Sequence, residues 1–142
     1  VTPRSLEAAS DWLKVRDKLN DVSVTAALIG TVGDRAAMDL MAFVRLANDL
    51  PTLESIKRDP LNAKVPVSAA AVCMVVYRTL AAIEADWIDA WMTYLNRLDG
   101  EAQGLFANGV RAPRYGKQGL VMTNKSFTAW ARAKSYLFAA DV

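Results

Sequence analysis

Histidine is absent from this 142-residue chain. That absence excludes imidazole general-base catalysis, the Ser-His-Asp arrangement and every His-ligated metal site. Cysteine occurs once, as Cys73, so no intrachain disulfide can form. A single thiol inside an apolar run reads as a small buried hydrophobe, and the lack of disulfides points to a reducing, cytoplasmic setting. No Gly-rich phosphate loop ending in Lys-Ser or Lys-Thr occurs, and Gly30 to Gly33 reads only as a weakened helix end. Asp86 and Asp89 lie one helical turn apart, but Trp87 and Ile88 between them mark a solvated face rather than a metal or acid/base pair. Charge of one sign is also in short supply. Lys and Arg total 17 and Asp and Glu 15, and a net charge of +2 makes no case for nucleic acid or a membrane surface as partner. The longest apolar run, Val65 to Ile83, is broken by Pro66 and Arg78 and falls short of the roughly 20 residues that a membrane-spanning helix needs. Arg4, Glu7, Asp11 and Lys14 interrupt the start, against a secretory signal.

What is present is helical. Hydrophobic residues make up 53%, much of it Ala, which favours closely packed helices. Thr2-Pro3 puts a capping hydroxyl before a proline at the first helical position. Ala8, Trp12, Val15 and Leu19 then repeat at helical spacing, widened by Leu6, Ala9 and Leu13, with an end near Asn20. Ser23 reads as the cap of a second segment through Val32, and Asp34 as the cap of a third with Ala37, Leu40, Met41, Val44 and Ala47 on one side. Pro51 closes that helix, and a short one carrying Leu53 and Ile56 follows Thr52. Val67 to Ile83, apolar almost all round, reads as the central helix. Asp86 opens the next, whose Trp87, Trp91, Tyr94, Leu95 and Leu98 read as core. Gly100, Gly104 and Gly109 mark a weaker, shorter segment, and Gly109 to Thr123 the longest irregular stretch. Thr123 or Asn124 caps a last helix with Phe127, Trp130, Ala131, Leu137 and Phe138. No alternating run makes a strand. The expectation is one all-α domain over residues 1–142, a helical bundle of six to eight helices.

Arg4 is out of place on electrostatic grounds. It falls at the second helical position, where free N–H groups and the macrodipole already make the end positive. A solvated arginine tolerates this; an anion bound there would reverse its sign, since helix N-termini and guanidinium groups both bind phosphate.

Thr2-Pro3-Arg4-Ser5-Leu6-Glu7 resembles the sensor-two motif that opens the C-terminal lid of MoxR-like AAA+ ATPases. Leu28 to Ala37 with Met41-Ala42-Phe43, Asp49-Leu50-Pro51, Asp59 to Pro66 and Phe127 to Ala131 are similar to later blocks of one subgroup of these lids. The resemblance implies a helical lid that closes over nucleotide, with Arg4 as the cofactor-binding residue on the γ-phosphate and Thr2 and Pro3 setting its angle. It implies ATP and Mg²⁺ bound by a P-loop domain that this chain lacks, and that domain and neighbouring ATPase subunits as partners. The chain is then either a piece of a longer ATPase or a lid encoded by itself. By itself it is expected not to be an enzyme, and to hold no catalytic residue, metal or cofactor of its own. An apolar face left uncovered would drive homo-oligomer formation. The alternative is a freestanding helical module for protein–protein or nucleic-acid interaction, with Tyr115 among Arg111, Arg114 and Lys117 as its candidate surface.

Overall fold

The computed structural model describes residues 1–139. It is all-helical: among the described residues there is no strand, and eight helices have six or more residues. The chain divides into two compact units, Val1–Asn48 and Asp49–Val142.

In the first unit, α1 (Pro3–Lys14) runs into a 3₁₀ turn at Arg16–Lys18, and α2 (Asp21–Val32) and α3 (Asp34–Asp49) follow. The start of α2 lies earlier than Ser23, because Asn20 Oδ1 accepts the Ser23 N–H at 2.8 Å and takes the capping role. Gly33 turns α2 into α3 at φ 87°, a conformation that favours glycine. The buried residues are Ala9, Val24, Leu28, Ala37 and Met41. On α1 the stripe expected to be buried is largely outside. Trp12 is 42% exposed and Leu6 50%, because α1 meets α2 through Ala9 and half-buried Leu13 instead.

The second unit holds α4 (Leu53–Arg58), α5 (Ala69–Ala82), α6 (Ile88–Leu95), α7 (Gly100–Arg111), α8 (Gln118–Met122), α9 (Lys125–Ala133) and a 3₁₀ turn at Ser135–Phe138. Side-chain caps start four of them: Thr52, Ser68, Asp99 and Asn124 each accept the N–H three residues on. The expected aromatic core is there. Trp91, Tyr94 and Phe106 are fully buried, and Phe106 meets Trp91, Phe127 and Trp130 ring to ring at 5.5, 6.3 and 6.1 Å. Gln103 is buried among them, its Nε2 donating to the Leu98 carbonyl and its Oε1 accepting from Trp130 Nε1.

Three expectations change here. The glycine-marked segment is a full helix, α7, because Gly109 lets α5 approach until only a hydrogen fits beside Leu80. The apolar run of α5 is buried on one face only, through Ala71, Val72, Val75, Val76 and Leu80, while Ala70, Tyr77 and Ala81 face outward. Cys73 lies on that outer side and is exposed. Small residues let an outward face look apolar in sequence.

Candidate functional site

The start of α1 is built by its own short side chains. Thr2 Oγ1 accepts the Ser5 N–H at 3.1 Å, and Ser5 Oγ accepts the Thr2 N–H at 2.8 Å, closing a reciprocal cap on both ends of the turn. Pro3 occupies the first helical position, where its missing N–H costs nothing. Arg4 follows at the second position. It is exposed, and among the described residues it makes no ion pair or side-chain hydrogen bond. No acid stands in the first turn of α1 to offset it. Ser5 as the returning partner was not foreseen, since that role is usually read from Glu or Gln.

An open cleft of about 400 Å³ in this unit is lined by Val1, which precedes the first of the blocks that carry the resemblance, by Val32, Gly33, Asp34, Arg35 and Ala36 of the second, and by Asp39. The corner at Gly33 brings the α3 N-terminus to the same cleft, and Gly33 O accepts the Ala37 N–H at 2.9 Å to start that helix. Arg35 adds a cation; Asp34 and Asp39 add two carboxylates that oppose any anion there. The electrostatics of the corner are therefore mixed. Arg4, the cation of the motif, makes no ion pair among the described residues, with Glu7 three residues on in the same helix.

The segment from Gly109 to Thr123 is organised otherwise than its sequence led us to expect. The irregular part is short, residues 112–117, between α7 and α8. Tyr115 is tied down: its hydroxyl donates to the Leu80 carbonyl at 2.7 Å, and burial raises its pKa. Lys117 Nζ donates to the Ile83 carbonyl at 2.7 Å and pairs with Glu84. Arg111 donates to the Leu137 carbonyl at 3.3 Å, and Gln118 Nε2 to the Val110 carbonyl at 2.8 Å. The Tyr115 and Lys117 bonds close the C-terminal end of α5 and the Gln118 bond that of α7, where the last carbonyls have no helical partner. Tyr115 is half-buried with its hydroxyl occupied, and two of the three cations of that cluster are already engaged. The signal missing from sequence was the long-range partner of each.

Two acidic groups, Asp49 and Asp89, also tie segments of the fold together. Asp49 accepts from the Val67 N–H at 3.1 Å and pairs with Lys64 at 3.1 Å, and the Lys64 contact holds its carboxyl below the usual range. Asp89 is held low by hydrogen bonds from Ser126 and Asn124, which join α6 to the start of α9. Tyr94 and Arg97 do the same for the 60–64 turn, donating to the carbonyls of Lys64, Pro60 and Ala63. Burial pushes the Tyr94 phenol up to about 12. Cys73 borders a cavity of about 150 Å³ between α5 and α7, beside Asp99 and Glu101.

No helix of the described residues is long and apolar enough to cross a membrane. The chain matches no family model, no curated protein and no solved structure.

Proposed function

We propose that this chain is the C-terminal helical lid of a MoxR-like AAA+ ATPase, sensing ATP through Arg4 and contributing to subunit packing, with hydrolysis carried out elsewhere in the parent protein. The observation that carries the reading is the start of α1. Thr2, Pro3 and Ser5 fix the first turn, and Arg4 stands on it exposed, with no partner among the described residues, where the helix is already positive. A guanidinium that makes no ion pair at a helix N-terminus is suited to an anion brought from outside, and a nucleotide γ-phosphate is such an anion. In a water-poor cleft that contact would couple the position of the helix to the state of the nucleotide. The exposed apolar side chains of the first unit, among them Leu6, Trp12, Ile29 and Phe43, fit a domain that packs against protein rather than water.

ATP and Mg²⁺ would be held by the P-loop domain of the parent. This chain would supply Arg4 alone to the phosphates. The reading is tested first in the coding DNA, where the frame upstream of Val1 is expected to encode a Gly-rich loop ending in Lys-Ser or Lys-Thr. In the protein so defined, Arg4→Ala is expected to lower ATP turnover by roughly 10²-fold, the scale for removing one charge-stabilising donor. An upstream frame without such a loop would sink the idea. So would an Arg4→Ala enzyme that turns over ATP as fast as the parent.

A further inference from the structure

From Ala102 to Ala139 the sequence contains six cations, Arg111, Arg114, Lys117, Lys125, Arg132 and Lys134, and no Asp or Glu. Arg111 and Lys117 are engaged within the fold. Three of the others, Lys125, Arg132 and Lys134, belong to α9 or its end, and none makes an ion pair among the described residues. Lys125 and Arg132 lie seven residues apart, two turns along one face of α9. Asp89 reaches this helix only at its N-terminal end, through Asn124 and Ser126.

The same face borders an apolar groove of about 430 Å³. Met122 from the end of α8, Phe127 and Ala131 from α9, and Phe138 from the following 3₁₀ turn line it, and Arg132 stands at its edge. Its size falls within the roughly 300–1,000 Å³ common to ligand pockets, and its openness along a helix suits an elongated occupant. Phe127 is buried and meets half-buried Phe138 edge to face at 6.1 Å, so Phe127 forms the floor of the groove and Phe138 one wall. An apolar trough with Arg132 at its edge, and Lys125 two turns back on the same helix face, suits a segment that is apolar on one side and acidic on the other.

We propose that the α8–α9 groove docks an acidic amphipathic helix of another protein, which seats apolar side chains between Met122, Phe127, Ala131 and Phe138 and sets carboxylates against Arg132 and Lys125. The inference concerns the second unit alone and stands whether or not the nucleotide reading holds.

The test is selection of a random 16-residue displayed peptide library on the immobilised chain, followed by fluorescence-anisotropy titration of the enriched peptides. Enriched peptides are expected to carry Leu, Ile or Phe at helical spacing with an excess of Asp and Glu. Arg132→Glu, an exposed change that leaves the fold intact by circular dichroism, is expected to weaken their binding about tenfold or more, and Met122→Glu likewise. Leu61→Glu, at an exposed site outside the groove, is expected to leave binding unchanged. Failure to enrich any peptide overturns the proposal, as does enrichment without an acidic excess. Binding indifferent to both groove variants also overturns it. Salt-sensitive binding of a labelled dT20 oligonucleotide that Arg132→Glu abolishes, in place of peptide binding, would assign the groove to nucleic acid and overturn it too.

Discussion

The two units of this chain solve the burial problem to different degrees. The second is about twice the length of the first, yet its core holds twenty-one buried side chains where the first holds five. The five include two alanines and no aromatic ring; the twenty-one include Trp87, Trp91, Tyr94, Phe106, Phe127 and Trp130. Exposure runs the other way. Among the described residues, nine large hydrophobic residues of the first unit are exposed, from Val1 to Phe43, against five in the second. Three helices have too little interior for the apolar residues they carry, since the buried fraction falls steeply with size. The lesson is that an apolar stripe at helical spacing says a partner is wanted, and says nothing about whether the partner is in the chain.

The largest effect expected to follow from this contrast is on stability. Phe106→Ala removes the ring at the junction of Trp91, Phe127 and Trp130, and should cost about 3–5 kcal/mol in the second unit. Leu28→Ala, in the smaller core, should cost about 2–3 kcal/mol, since a thin shell collapses more readily around a cavity. Amide hydrogen exchange separates the two by residue. Amides of α1 to α3 should exchange faster than those of α5 to α7 in the parent. Leu28→Ala should accelerate only the first set. Acceleration of both sets by Leu28→Ala would mean the units unfold together, and the comparison would fail.

Much of the second unit was readable in advance because its signals are local. Thr52 and Asn124 are short acceptors placed before apolar periodic runs, and Trp91, Tyr94 and Leu98 recur at helical spacing. The misreadings share one cause, a decision taken by residues distant in sequence. Gly109 looks like a helix breaker until Leu80 lies against it. Tyr115 looks like a binding residue until its hydroxyl is seen donating to the Leu80 carbonyl. Trp12 looks like core until α2 is seen to meet Ala9 instead. At the candidate site, Thr2, Pro3 and Arg4 were legible from capping and charge; the cleft that joins Val1 to the Gly33 corner was not, because nothing local announces which helix ends converge.

A pair of glycine substitutions sharpens the packing difference with smaller effects. Gly109→Ala places a methyl onto the Leu80 side chain, which is itself buried and cannot swing away freely. Overpacking outweighs the gain in helix propensity, and a net loss of about 1–2 kcal/mol is expected. Gly30→Ala in α2 meets nothing within 4 Å and should stabilise by about 0.5–1 kcal/mol through propensity alone. Chemical denaturation of each variant reads both signs. Two changes of the same sign would show the units to be packed alike.

Alkaline pH distinguishes the units in another way, because all four tyrosines lie after residue 48. Burial raises the phenols of Tyr94, to about 12, and of Tyr115 above their ordinary value near 10. A raised folded-state pKa means that the neutral phenol stabilises the fold; that contribution is complete below about pH 10 and is lost as pH climbs through 10 towards 12. Tyrosinate absorbance should therefore show a late component that Tyr94→Phe removes. The α5 to α7 amides should lose protection over that window while those of α2 change little from this cause. Loss of protection in α2 first would reverse the ranking of the two units.

The smallest stability effects belong to the exposed apolar residues of the first unit, and they bear most directly on what that unit is for. Val22 is 79% exposed and Met38 63%. Val22→Lys and Met38→Lys remove little buried surface, so each should change stability by less than about 0.5 kcal/mol. Their effect should appear in association instead. If the uncovered apolar surface draws copies together, sedimentation velocity of the parent will show concentration-dependent association that the double variant reduces. A double variant that loses several kcal/mol would mean those side chains pack within the folded chain. One that keeps both its stability and its association would place the sticky surface elsewhere. Only unchanged stability with diminished association fits a unit whose apolar exterior is kept for a partner.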